Sequence, residues 1–350
     1  QRLKTVTLSN RIHIRNLEYD TYDRLTKISD QIKGRSYVTQ KNYDEYGRVK
    51  TETYPTGYAV TNSYDSYGYL KSVTDNSSRL IWRLDSCDAE GKVLKETKGS
   101  AATRYTYDAA GRVLSIQAPG IINSHYTYYT TGNLKTYTDS ISNQMETYTY
   151  DAMDRLLTWK KPEEVYPYAS VGYDNTRANR IASKNDRPWG SVLSGYYSYS
   201  STSSSNALKE VSLCTSPAQN ITYTDFKKVT YLSQAGGYES FTINYGVDEE
   251  RVYMKENHRY GVERYYVGNY AEEIGTSGNT TGIHYIYGGN GIAAVYKSTG
   301  SSSGMLYSAY TDRQGSLVAL ENSNRVVGRY AYDPWGNRRN PSNWLQKFDA

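Results

Sequence analysis

Phenylalanine is nearly missing from these 350 residues, with 3 copies against 40 tyrosines and 5 tryptophans. Aliphatic core-formers are scarce too. Hydrophobic residues reach 37%, tyrosine supplying nearly a third of them, and mean hydropathy is −0.76. A solid globule of this length buries most of its surface and needs more Leu, Ile, Val and Phe than this. Only 2 cysteines occur, Cys87 and Cys214, which excludes a disulfide framework. Either they are unpaired thiols serving as small apolar fillers or they form one bridge. No apolar run approaches the roughly 20 residues of a membrane helix. Charge of one sign does not cluster: 41 basic and 36 acidic residues give a net +5 spread along the chain, whereas nucleic-acid binding calls for a clustered basic face. Helical periodicity is absent, so helices longer than two turns are not expected. Gln1 opens the chain without a signal-peptide pattern, which suggests a piece of a longer protein.

What is abundant is tyrosine, threonine, valine and isoleucine, a β-forming composition that argues against disorder. A tyrosine joins a large apolar ring to a hydroxyl that tolerates a wet neighbour. The composition therefore predicts thin β-sheet with water or a polar lumen near both faces.

A repeat sets the frame: Tyr-Asp-x-x-Gly-Arg-(Leu/Val). Clear copies are Tyr43-Asp44-Glu45-Tyr46-Gly47-Arg48-Val49, Tyr64-Asp65-Ser66-Tyr67-Gly68-Tyr69-Leu70 and Tyr107-Asp108-Ala109-Ala110-Gly111-Arg112-Val113. Degenerate copies include Cys87-Asp88-Ala89-Glu90-Gly91-Lys92-Val93 and Tyr128-Tyr129-Thr130-Thr131-Gly132-Asn133-Leu134. Two more, Tyr19-Asp20-Thr21-Tyr22-Asp23-Arg24-Leu25 and Tyr150-Asp151-Ala152-Met153-Asp154-Arg155-Leu156, place Asp in the glycine slot. The slots fall at 23, 47, 68, 91, 111, 132 and 154, spaced by 24, 21, 23, 20, 21 and 22 residues.

Asp followed three residues later by Gly matches the ends of a type I turn, with the carboxylate accepting from local amides. Glycine then takes the left-handed conformation from which the chain returns as a second strand, and Asp tolerates that conformation at 23 and 154. Each unit is one hairpin. A lone hairpin is marginal in water, so successive hairpins are expected to stack edge to edge into one twisted, curling sheet or partial hollow shell. Residues 1–190 carry the strict repeats. Residues 191–350 carry drifting ones, continuous with the first part. The stretch from Ser191 to Asn206 reads as a long loop, and Ser298 to Gly304 as a flexible one.

These motifs resemble the RHS/YD-repeat family of bacterial polymorphic toxins, insecticidal toxin-complex shells and teneurins, over roughly residues 15–180. Three later segments resemble the repeat-associated core that ends many such proteins: Tyr223–Val229, Tyr310–Leu317 and Tyr330-Ala331-Tyr332-Asp333-Pro334-Trp335-Gly336-Asn337-Arg338-Arg339, the last being the most specific. The resemblance implies a secreted or cell-surface hollow β-spiral whose partner is the C-terminal toxin or effector of the same chain. Many members free that polypeptide by self-cleavage with aspartates at the end of the core. That closing segment would lie after Ala350, so no catalytic residue is carried over and no enzyme is expected. The turn residues named above, from Tyr43 and Asp44 to Asp333, Pro334 and Gly336, are structural.

Other chemistry is outweighed by plain structure. His13, His125, His258 and His284 show no metal-ligand spacing, and no metal or cofactor is expected. The repeated aspartates suggest paired glycosidase carboxylates, yet a turn explains each. Ser316 lacks a Gly-x-Ser-x-Gly elbow, and Gly288-Gly289-Asn290-Gly291 precedes no helix that could hold a phosphate. Tyrosine-rich faces leave one alternative function, carbohydrate binding or adhesion. Open sheet edges leave room for self-association.

Overall fold

The computed structural model describes residues 2–8, 12–161, 169–174, 180–186, 193–199, 208–213, 216–234, 240–257, 261–275, 277–300 and 304–347. Cys214 and His258, with the expectations attached to them, lie outside the described residues. Cys87 is an exposed free thiol. Among the described residues there is no helix, and strands pair antiparallel with their chain neighbours. The loop expected over 191–206 is corrected in part. Leu193–Tyr199 is a strand paired with Leu208–Leu213, which β-forming Leu and Tyr at alternate positions favour. Likewise Ser298 and Thr299 close the strand Gly291–Thr299 rather than beginning a flexible stretch.

The chain forms two compact units, each built from segments far apart in sequence. One comprises Gln1–Ala102, Phe241–Ala309 and Asn322–Asn324. The other comprises Thr103–Ser240, Tyr310–Glu321 and Arg325–Ala350.

In the first unit, strands from Thr5–Thr7 through Val93–Lys98 follow one another as hairpins. One face of this ladder is buried against the later strands of the same unit. The Tyr37 ring lies 6.0 Å from Tyr265 and 5.8 Å from Tyr270, and Tyr58 stacks on Tyr296 at 3.8 Å. Gly288 and Gly289 rest directly on the Trp82 indole, where a Cβ on Gly288 would come within 2.5 Å of the ring. The Gly-Gly pair thus serves a close approach as well as a turn.

The second unit repeats the plan. Its strands Ala101–Tyr107, Ile122–Tyr128 and Gln144–Tyr150 alternate strictly near their ends: Tyr105, Tyr126 and Tyr148 are buried while Thr106, Thr127 and Thr149 are exposed. The buried face is covered by the end of the chain. Trp344 stacks on Tyr137 at 5.0 Å, Trp335 meets Trp159 edge-on at 6.5 Å, and Leu345 joins the cluster around Tyr148 and Trp159. Ala331–Tyr332, Arg338–Asn340 and Asn343–Lys347 make a small separate sheet.

The expectation of water near both faces is therefore corrected. Within each unit one face of the hairpin ladder is largely buried under later strands as a tyrosine-rich core, and the other is exposed. Composition misleads here because tyrosine fills the place of phenylalanine in that core, its hydroxyl reaching a polar partner at the margin.

Candidate functional site

The repeat turn is the chemistry this chain uses most often. Asp44 accepts from the amides of Tyr46 (3.0 Å) and Arg48 (2.9 Å) through one carboxylate oxygen, and from Arg48 Nε (2.7 Å) through the other. The amide of Gly47 closes the turn on the Asp44 carbonyl at 3.1 Å. Asp20, Asp108 and Asp151 do the same with Arg24, Arg112 and Arg155. Partial burial pushes the carboxyls of Asp20, Asp44 and Asp151 up, but the arginine amide and guanidinium outweigh it and hold them below the usual range. At Asp108 the Arg112 amide is itself the largest influence, again downward. Where the arginine is replaced, the amide contacts persist: Asp65 binds the amides of Tyr67 and Tyr69, and Asp88 those of Glu90 and Lys92. Gly47, Gly68, Gly91, Gly111, Gly132 and Gly336 all have positive φ, between 78° and 98°, as do Asp23 and Asp154 at 68° and 59°. Asp333 binds the amides of Trp335 and Asn337, with Pro334 at the second turn position.

The repeat turns from Asp20 to Asp151 are each followed by a β-bulge whose place the spacing did not reveal, whereas the turn at Asp333 has none. Tyr43 faces Val49 while its neighbour Asn42 faces Thr51, so one residue of the returning strand is left over. The same shift falls at Tyr19, Tyr64, Tyr107, Tyr128 and Tyr150. The motif tyrosine then donates to the carbonyl of the Leu or Val closing the previous turn: Tyr43 to Leu25 (2.7 Å), Tyr64 to Val49 (2.8 Å), Tyr128 to Val113 (2.8 Å) and Tyr173 to Leu156 (2.9 Å). The motif arginine reaches the other way. Arg24, Arg48, Arg112 and Arg155 lie over the rings of Tyr43, Tyr64, Tyr128 and Tyr173 at 4.8, 4.4, 4.7 and 4.3 Å. Repeat is thus stitched to repeat through one hydroxyl and one guanidinium.

Several buried polar groups gave no sequence signal. Lys98 donates to the carbonyls of Ile292 (3.1 Å) and Ala309 (3.0 Å) beside Glu96, which also accepts from the Trp82 indole at 2.6 Å. His13 bridges Asp30 (2.8 Å) and the Val247 amide (3.2 Å). In the second unit Arg339 makes a two-pronged pair with buried Glu146, one prong at 2.8 Å, under the Trp344 ring. Each ties a later segment of the chain to the hairpin face. Among the described residues no set of three or more His, Cys, Asp or Glu side chains could hold a metal ion.

One cavity of about 360 Å³ opens within the second unit. Its floor is tyrosine: Tyr126, Tyr137, Tyr148 and Tyr150. The turns at Asp312 and Asp333 form its opposite side. Asp312 accepts from the amides of Gln314 (2.8 Å) and Ser316 (2.9 Å). Burial nevertheless pushes its carboxyl above the usual range, outweighing those two amides and the nearby Arg313.

Residues 90–201 match the family model described as teneurin YD-shell. No curated protein matches the sequence. Among solved structures, the chain is similar to TcdB2-TccC3 without its hypervariable C-terminal region, with a TM-score of 0.75 and 14% identity over 96% of this chain and 20% of that one. It is also similar to the Tc holotoxin pore of Photorhabdus luminescens carrying a TccC3 mutation, with a TM-score of 0.70 and 16% identity over 93% of this chain and 20% of that one. The chain thus spans about a fifth of the length of these structures, and at such identity the likeness is one of fold. The tyrosine–aspartate turns, the YD-shell match over residues 90–201 and the shared all-β fold together support the resemblance to RHS/YD-repeat shell proteins.

Proposed function

We propose that this chain is a non-catalytic wall segment of an exported protein, secreted or held at the cell surface, whose β-shell encloses or presents a toxin or effector polypeptide carried C-terminally in the same full-length chain. The carrying observation is the fold shared over 96% of the chain with a TcdB2-TccC3 structure described as lacking its hypervariable C-terminal region. The stitched turns suit such a role, since they stiffen a wall through bonds that recur along the hairpin ladder at Tyr43, Tyr64, Tyr128 and Tyr173. Limited proteolysis of the full-length protein tests it. The C-terminal region should be cleaved at least about ten times more slowly in the native protein than after the wall is unfolded. Equal rates would overturn the reading.

A second reading, adhesion to carbohydrate, is favoured by one observation. Tyr22, Tyr46 and Tyr67 occupy the same place in three successive turns and are 78%, 74% and 85% exposed. Exposed rings at turn tips can stack on sugars without disturbing the core. Saturable binding on a glycan array, lost in the triple Tyr→Ala variant, is expected from this reading, and a blank array removes it.

A further inference from the structure

In the motif turns, a carboxylate and a tyrosine ring form a seat for a guanidinium. Arg48 Nε lies 2.7 Å from Asp44 with its guanidinium carbon 4.4 Å from the Tyr64 ring centre; Arg112 and Arg155 sit likewise. At two turns of the second unit the arginine is replaced. Four residues after Asp333 stands Asn337, whose side-chain amide takes the arginine's place on the carboxylate at 2.7 Å; four residues after Asp312 stands Ser316, too short to reach a neighbouring ring. Among the described residues neither carboxylate has a Lys or Arg within ion-pair distance. Both line the same cavity of about 360 Å³, whose floor is the rings of Tyr126, Tyr137, Tyr148 and Tyr150.

We propose that this cavity binds an organic cation, a guanidinium or ammonium group on a flexible stem, in the place that the missing arginine leaves at Asp312. Carboxylate and aromatic faces together select that chemistry: the ring faces are negative and attract cations, and the carboxylates supply charge-assisted acceptors. Arg313 is the one cation of the lining. Its guanidinium carbon lies 5.9 Å from the Tyr126 ring centre, so two carboxylates face a single positive charge. An anion meets net negative charge there, and a neutral apolar ligand would leave both carboxylates uncompensated. Arg313 and Gln314 are exposed while lining the cavity, so its mouth reaches solvent. Burial of the Asp312 carboxyl also disfavours its ionised form, a cost that a bound cation would offset. The inference stands on this site alone and does not depend on what the wall encloses.

Agmatine is the small probe and an arginine-containing peptide without acidic residues is the large one, each titrated by calorimetry and by thermal shift against this chain at neutral pH. Saturable binding with a raised Tm is expected, weakened about ten-fold by Asp312→Asn through loss of the charged acceptor. Ser316→Arg restores the motif arginine and should fill the seat, abolishing binding while near-UV circular dichroism stays that of the parent. Agmatine binding assigns a diffusible amine, and binding of the peptide alone assigns a polypeptide side chain; either sustains the site. No binding of either probe overturns it, as does binding that Asp312→Asn and Ser316→Arg both leave unchanged.

Discussion

The hydroxyl of the motif tyrosine explains why 40 tyrosines and 3 phenylalanines occur in one chain. Its ring packs as phenylalanine would, but the bulge beside a repeat turn frees a carbonyl that only a donor can satisfy. Tyr64 donates to Val49 at 2.8 Å, beside the Asn62 side-chain amide at 3.0 Å, while exposed Tyr46 at the neighbouring turn tip has no such task. Tyr64→Phe should therefore destabilise the chain by about 1 kcal/mol, and Tyr46→Phe by close to nothing. Urea denaturation of the two variants checks this; equal midpoints would dismiss the role of the hydroxyl.

His284 shows what burial does to a titrating group. It is fully buried in the first unit among the rings of Tyr54, Tyr270 and Tyr296, at 4.8, 4.8 and 5.5 Å, with Thr56 at 2.8 Å from Nε2 and no partner on Nδ1. Burial lowers its pKa to about 4. A folded-state value below the unfolded one means that the unfolded chain takes up the proton first. Stability is complete above about pH 6.5 and is lost as pH falls toward 4, by up to about 3 kcal/mol. Denaturation midpoints between pH 7 and pH 4 should fall more steeply for the parent chain than for His284→Gln, which carries no titrating group. Parallel slopes would show that His284 is not the sensor.

At the scale of the hairpin, the backbone at the glycine slot decides. Gly47 has φ +80°, so Gly47→Ala should cost about 1 kcal/mol although a Cβ there would meet only the Arg24 Nη1, at 4.0 Å. Lys227 holds the equivalent slot with φ +64° and is exposed. Lys227→Gly should gain several tenths of a kcal/mol, provided that released strain exceeds the added unfolded-state entropy. Thermal midpoints moving in opposite directions for the two variants are the expected result. The turn was legible in the sequence because its parts lie within five residues: a carboxylate, its amides and a left-handed residue. The bulge was not, since it is a difference in residue count between two strands that no single motif displays. Beyond residue 220 the frame fades because the turn needs only an acceptor and a residue that tolerates positive φ. Thr224 with Lys227, and Gly246 with Glu249, meet that need without Asp or Gly in the motif places.

At the scale of the whole chain, a stack of hairpins held only by nearest neighbours would lose little when its last strands were removed. This molecule is built otherwise, for each unit closes its core with strands from much later in the chain. Arg339 and Glu146 are 193 residues apart, and Tyr37 and Glu272 are 235 apart. No repeat spacing announces such partners, which is why the sequence suggested a sheet wet on both faces. Ending the chain after Asn324 would remove Arg339, Trp335 and Trp344, stripping Glu146 of its cation and uncovering the rings of Tyr137 and Trp159. The lost apolar cover destabilises the hairpin ladder, and Glu146, opposite Tyr137 in that ladder, is exposed with it. The shortened chain should bind a hydrophobic dye, and the amides of Leu156–Lys160 should exchange with solvent far faster than in the parent. Unchanged exchange along that strand would mean that the hairpin ladder stands without its cover, as an open repeat array does.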